Sequence, residues 1–476
     1  MRCNQRLAPE AQSSQRGRLA HYLPLLNSTL LCCLLYTVVV RINYEAAMPN
    51  DVKDYIGQSV TSNMDGNTLR RVSYLIVFST VITTAFIKDF NVIFRAISVP
   101  YIIACTWCVV SCVWAIDPSA SLRRSINTII ILISAAVLVR FLGQKQTLRV
   151  LYYFLTFTLI ASVAAVVLSS VPIFSFAVHP PNESDATLVG NWRGIFWHKN
   201  VAGPMMVISM LVFLHFALNR KKTVDWVLLA GSTVFLLGTR SKTALGLAFV
   251  VIVIGMLYRS MASKRSGNTL FALLFLYFLL TIIVLGIVDY EQIYTFLTNP
   301  ENLSGRVAIW ISLWSYIKDH IWFGSGYGSF WGIGYQSPIF SLAISQFVLE
   351  VTQSHNGYLE ALTTTGLIGL MLAIFSLVIL PFVRILNGRR EDSPLYALCL
   401  SIWLFGVLQN FTEAQFFSPD RQVWIFVVIA ISIVHNNEMS RLRKRDAMRS
   451  LLLRKRPFVP LLSKRSGVRH ELYQTP

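Results

Sequence analysis

Apolar residues in this chain gather in long unbroken runs, and twelve of these runs read as membrane spans. They are Leu23–Val40, Val72–Ile87, Ile97–Ile116, Ile126–Leu142, Leu151–Val171, Val201–Leu218, Trp226–Leu237, Thr243–Tyr258, Leu270–Val288, Tyr358–Val383, Leu395–Phe411 and Val423–Val434. A helix crossing the hydrocarbon needs about 20 residues of this kind. None of the runs alternates with the period of two that a half-buried strand requires. The pattern therefore predicts an all-α polytopic membrane protein of about twelve transmembrane helices. Leu23–Val40 follows a basic tail, and no small-residue cleavage site follows it, so it reads as the first span and not as a removable leader.

Polar stretches between the runs give the organisation. With the N-terminus placed in the cytoplasm, the inner segments collect most of the Lys and Arg, among them Lys88, Arg140, Arg220, Lys221, Lys222, Arg259, Arg384 and the run from Arg441 to Arg469. That is the positive-inside arrangement, with both termini cytoplasmic and an even number of crossings. Two outer segments are long, Pro172–Asn200 and Asp289–Gly357. The second is rich in Trp, Tyr and Phe, which argues against disorder. Within it, Ser304–Lys318 carries Val307, Trp310, Ile311, Trp314 and Ile317 at helical spacing, as expected of a short amphipathic helix at the outer interface. The division is a basic tail over 1–22, five spans over 23–190, a core region over 191–434 with the outer loop 289–357, and a second basic tail over 435–476.

Composition agrees: 54% of the 476 residues are apolar and 14% are charged, too apolar and too unevenly distributed for a soluble domain. The formal charge of +19 raises the question of nucleic acid. Its concentration in inner loops and tails points to anionic lipid, and no nucleic-acid reader module is present. The seven cysteines give no disulfide framework. Cys105 and Cys108 have redox spacing but sit in an apolar run without a βαβ context.

Candidate chemistry clusters at the outer boundaries. Gly238-Thr239-Arg240-Ser241-Lys242 is a tight turn between two spans, Arg193 to Asn200 precedes another, and Arg306 opens the loop helix. Each cation alone is an ordinary interfacial anchor, but together they suggest an anion site. Arg306 opposes the helix dipole and so calls for a compensating anion. Arg suits phosphate because its planar fork donates two hydrogen bonds at once. His355 lies in Gln353-Ser354-His355-Asn356-Gly357, just before a span, with Ser354 as a plausible N-cap. A neutral imidazole there suits a general base. Glu360, one turn on, could orient the ring or bind a sugar hydroxyl, or be a solvated carboxylate. Gly324-x-Gly326-x-Gly328 follows no predicted strand and reads as a tight turn with close backbone approach, not as a nucleotide loop. No metal-ligand spacing is present; the acidic pairs Glu183/Asp185 and Asp289/Glu291 are the weak exception.

These residues resemble the O-antigen ligase and polymerase superfamily of bacterial envelopes. The resemblance rests on Arg193-Gly-Ile-Phe-Trp-His-Lys-Asn200-Val-Ala-Gly203, on Gly238-Thr-Arg240-Ser-Lys-Thr-Ala244, and on Ser304-Gly305-Arg306 with Trp310, followed by the triple-glycine turn and Ser354-His355-Asn356-Gly357. It covers about residues 190–430, and its wording is most similar to exopolysaccharide polymerases of the ExoQ type. The resemblance implies transfer of glycan from undecaprenyl pyrophosphate to a sugar hydroxyl on the periplasmic face of the inner membrane, without metal or cofactor. It implies that His355 takes the acceptor proton, that Arg240 and Arg306 hold the pyrophosphate, and that Arg193, Asn200, Lys242 and Glu360 line the substrate. Its expected partners are the lipid-linked oligosaccharide, membrane lipid, and a flippase and chain-length regulator of the same pathway. A ligase placing finished glycan on a lipid core or protein is the near alternative. A transporter would need charged groups at mid-membrane, which the spans nearly lack; a non-enzymatic assembly component is the third reading.

Overall fold

The computed structural model describes residues 8–40, 68–181, 186–262, 264, 266–303, 305–418 and 421–454. The chain falls into two compact units, Met1–Asn436 and Asn437–Pro476. Of the second unit, 437–454 is described; it is the last stretch of the helix Gln422–Arg454, polar and largely exposed.

Within the first unit the described secondary structure is helical, with only isolated bridges at Val178–Trp192 and Ile333–Tyr335. Among the described residues, seven helices are long and apolar enough to cross a membrane, and Leu23–Val39, Val99–Trp114, Thr223–Thr239 and Ser393–Gln409 are shorter apolar helices. One of the seven, Pro118–Val167, has 50 residues. At 1.5 Å per residue it would be about 75 Å long, far beyond one crossing. Gly143 divides it: φ 68° and ψ 168° are not helical, and the chain turns there between two apolar stretches. With that division the described helices account for the twelve runs of the sequence. The protein is an all-α polytopic membrane protein.

Local chemistry explains the ends of these elements. Asp117 accepts from the backbone N–H groups of Ser119 and Ala120, both at 3.0 Å, and Pro118 follows at the first helical position. The helix Lys199–Arg220 is largely enclosed, with Ala202, Met206, Ile208, Val212 and Ala217 fully buried. Its Gly203 lies against Ser241, where a Cβ would come within 2.8 Å of the serine Cβ.

The outer loop carries its own small core. In the helix Arg306–Ile317, Val307, Ile309, Leu313, Tyr316 and Ile317 are buried. Ile309, Leu313 and Ile317 pack with Phe330, Trp331, Ile339 and Val348. The expected stripe is therefore rotated: Trp314 is exposed, whereas Ile309 and Leu313, which the pattern passed over, face inward. The triple-glycine turn makes the close approach its sequence predicts. Gly324, Gly326 and Gly328 all have positive φ. A Cβ on Gly324 would meet the backbone of Thr363 and Thr364 at 2.6–2.7 Å. That contact falls where Gly366 (φ 69°) interrupts the helix Gly357–Ala373; Ser325 N–H donates to the freed Thr363 carbonyl at 3.0 Å and Leu367 N–H to Ile321 at 2.7 Å. The loop is thus stitched into a broken membrane helix, in the one way irregular backbone is tolerated there.

Candidate active site

The His355 turn is built by its neighbours. Asn356, not Ser354, caps the helix: its Oδ1 accepts from Tyr358 N–H at 3.1 Å and Leu359 N–H at 3.2 Å. Ser354 instead closes the turn, its Oγ donating to the Asn356 carbonyl at 2.7 Å. The reason is geometric, since the residue entering the helix is one with extended backbone, and Asn356 has φ −154° and ψ 107°. His355 itself adopts the left-handed conformation, φ 51°. Such a conformation costs of order 1 kcal/mol or more for a non-glycine residue and persists only where surrounding contacts fix it. Those contacts are the Trp310 indole donating to the Ser354 carbonyl and the Ser354 N–H donating to Glu360 Oε2, both at 3.0 Å. Glu360 also accepts from the Trp331 indole at 3.0 Å. It therefore holds the turn and does not touch the imidazole.

The group that does touch the imidazole is Glu413, which sequence reading missed. Its Oε2 lies 3.2 Å from His355 Nδ1 and 3.1 Å from Gln353 Nε2, and its Oε1 accepts from Arg306 Nη2 at 2.9 Å. The anion that Arg306 requires is thus supplied by the protein. Burial alone would raise the Glu413 carboxyl; the hydrogen bond and charge of His355, with the charges of Arg306 and Arg421, prevail and hold it down at about 2. A carboxylate on Nδ1 orients the ring and leaves Nε2 to accept a proton. Nε2 makes no hydrogen bond with any described residue, and the side chain is 22% exposed.

Glu413 sits in a loop fixed by Asn410, whose Oδ1 accepts from Gln415 N–H at 3.0 Å and Phe416 N–H at 3.1 Å. Gly357 N–H donates to the Asn410 carbonyl at 2.7 Å, where a Cβ would fall 1.9 Å from Asn410 Oδ1. The Tyr358 hydroxyl donates to the Val407 carbonyl at 3.0 Å. The signal in the sequence is slight: Glu413 is one of two acidic residues, with Asp420, in a short loop between the last two spans.

Arg240 and Lys242 lie at the same end of the helices. The helix Lys242–Ala262 runs antiparallel to Ser393–Gln409, and Ser401 Oγ donates to the Val251 carbonyl at 3.1 Å. Nine residues back from Val251 is Lys242, and eight on from Ser401 is Gln409, similar distances along the two helices. Arg240 terminates the helix Thr223–Thr239 in the left-handed conformation, φ 50°. Its side chain and that of Lys242 are exposed and make no hydrogen bond or ion pair with a described residue.

The segment before Lys199–Arg220 meets this turn directly. Trp192 N–H donates to the Gly238 carbonyl at 3.0 Å, and the indole covers Gly238 so closely that a Cβ would be 2.2 Å from the ring. Arg193 next to it is turned onto its own segment, with Nε donating to the Phe176 carbonyl and Nη1 to that of Trp197 at 3.2 Å. Asn200 is in the first turn of its helix, its N–H donating to His198 Nδ1 at 3.0 Å. So the structure joins His355 and Arg306 through Glu413, sets Arg240 and Lys242 at the same end without contact to that cluster, and commits Arg193 and Glu360 to protein carbonyl and amide partners. Ser304, Glu183 and Asp185 lie outside the described residues.

Of the five described non-glycine residues with positive φ, four belong to these segments: Arg240, Leu303, His355 and Phe417; Lys221 is the fifth. Local strain is concentrated where the polar groups converge.

Residues 226–374 match the family model described as O-Antigen ligase. No curated protein matches the chain. The matched stretch contains Arg240, Lys242, Arg306, His355 and Glu360, while Arg193, Asn200 and Glu413 lie outside it. Over that stretch, about a third of the chain, and within a helical membrane architecture, the protein is similar to the O-antigen ligase family.

Proposed function

We propose that this protein polymerises oligosaccharide repeat units carried on undecaprenyl pyrophosphate into an exopolysaccharide, at the extracytoplasmic face of the bacterial inner membrane. The observation that carries the reading is the shared Glu413 carboxylate, which couples an imidazole base to a phosphate-binding guanidinium. In the proposed step, the acceptor hydroxyl loses its proton to His355 Nε2 as its oxygen bonds to the anomeric carbon of the donor sugar. The bond from that carbon to the pyrophosphate oxygen breaks, and its electron pair leaves with undecaprenyl pyrophosphate. A general base of this kind contributes roughly 10²–10⁴-fold.

The leaving group gains charge as the bond breaks. Arg240 and Arg306 answer that charge, with Lys242 beside them, and Asn200 and Arg193 shape the wall. Preset donors in a poorly hydrated site act on the transition state without reorganisation. The Arg306–Glu413 pair has a consequence here. Pyrophosphate competes with Glu413 for the guanidinium, and as Arg306 turns to the substrate, Glu413 is left to His355. Donor binding thus strengthens the hold on the base. The prenyl chain lies between helices near the outer leaflet. The donor bond is already activated, so the reaction calls on no nucleotide; a flippase and a chain-length regulator belong to the same pathway.

The ligase reading has one observation in its favour, the description of the matching family model. The acceptor distinguishes the two. Purified protein incubated with lipid-linked repeat units alone is expected to yield a ladder of products differing by one repeat. Transfer only when a lipid core or protein acceptor is added would replace the polymerase with the ligase, and no transfer under either condition would sink both.

A further inference from the structure

At the end of the helices away from His355, a crevice opens between Lys199–Arg220, Lys242–Ala262 and Ser393–Gln409. Leu214, Leu218, Ile252 and Met256 are among its walls, and His215 and Arg259 supply its polar end. Arg259 is seventeen residues on from Lys242, about 25 Å along the helix. Arg259 is also in the last turn before Ala262, and His215 lies just over one turn before Arg220. The polar end is therefore at headgroup depth, while the apolar walls reach toward the hydrocarbon.

Arg259 is held in place and only partly occupied. Its Nη2 donates to Asn219 Oδ1 at 3.0 Å, and Asn219 Nδ2 donates to the His215 carbonyl at 2.6 Å. The remaining guanidinium donors have no described partner. His215 Nδ1 lies 3.1 Å from the Pro394 carbonyl, which leaves Nε2 uncommitted. No acidic residue lines the crevice; Glu391 and Asp392 precede Pro394 but are not among its walls. Arg220 is nearby, its guanidinium stacked 3.9 Å from the Phe216 ring. Lys221 and Lys222 follow it in the chain.

A guanidinium fork over an apolar cleft, without a carboxylate to answer it, is complementary to a phosphodiester with acyl chains. We infer that this crevice is a binding site for one anionic phospholipid of the leaflet at this end. It is separate from the glycan site and does not depend on the function proposed above.

The test uses the full-length protein in vesicles containing phosphatidylglycerol or phosphatidylcholine with a diazirine near the start of one acyl chain. After photolysis, labelled peptides are mapped. The helix Gly267–Val288 is exposed along almost its whole length and reports ordinary surrounding lipid. Labelling of Leu214–Leu218 and Ile252–Arg259, normalised to that helix, is expected to favour phosphatidylglycerol roughly fivefold, about what one cation near an anionic headgroup supplies. Arg259→Gln is expected to bring the ratio to one, and Arg259→Lys to retain most of it. Equal normalised labelling by the two lipids in the unaltered protein overturns the inference, whatever the variants do. So does an undiminished preference in Arg259→Gln.

Discussion

Two regions at the same end of the helices treat their positive charges in opposite ways. Around His355 the polar groups pair within the protein: Arg306 and His355 share Glu413, and Glu360 takes up the Ser354 N–H and the Trp331 indole. In the turn at Arg240 and Lys242 no described residue answers either cation, and both side chains are exposed. The first region is assembled before any substrate arrives. The second has a fixed backbone and an open charge. On the proposed function, the contrast separates a base that must be preset from cations that wait for an anion.

Substitutions can break that contrast, and the largest effect is expected at the base. His355→Ala should abolish product formation to within detection, a loss of roughly 10²–10⁴-fold for the base alone; near-normal polymer yield at normal expression would remove His355 from the chemistry. Arg240→Ala comes next, with a rate loss of about 10²–10³-fold. Because its side chain has no described protein partner, its thermal midpoint should not move, and a fall in stability equal to the fall in activity would show that the turn is structural. Arg240→Lys should recover only part of the rate, since an ammonium cannot present the same fork.

Glu413→Gln tests the coupled region and should differ from Arg240→Ala in affecting both readouts. It removes the charged partner of Arg306 and the carboxylate that orients His355, so a loss of about 1–3 kcal/mol in stability is expected together with a lower kcat. The pH dependence has a defined sign. The carboxyl is held at about 2 in the folded protein, below its ordinary value near 4.5. Its stabilising contribution is then complete above about pH 4.5 and is lost as pH falls toward 2. The thermal midpoint of the unaltered protein should decline through that window, and the decline should be shallower in Glu413→Gln. The smallest effect is expected for Trp310→Phe, which deletes the indole bond to the Ser354 carbonyl. A cost of about 0.5–1.5 kcal/mol is typical of such a bond; a disproportionate fall in kcat at unchanged KM would show how finely the left-handed His355 must be held.

Hydropathy identified the crossing segments but not their places. Lys199–Arg220 and Gly267–Val288 look alike as apolar runs, yet the first is largely buried and the second exposed along almost its whole length. Lipid and protein interior are equally apolar, so hydrophobicity alone does not choose between them. Small residues that permit close approach do, and Ala202, Gly203 and Ser209 sit in the buried helix. The amphipathic loop helix was legible in its position and length, but its buried face was not, because the spacing of Trp310 and Trp314 matched an interface as well as a core.

The sequence by itself determined the helical membrane class, the apolar runs, the long loop and the positions of His355, Arg240 and Arg306, because these follow from local composition and from residue types that stand out in apolar surroundings. Only the tertiary structure decided which of them meet. Glu413 is 58 residues from His355 and 107 from Arg306, and no local pattern links the three. Their pairing depends on Asn410 docking against Gly357 and on the loop helix reaching the Ser354 carbonyl, contacts between distant segments whose energy exists only once the chain has folded.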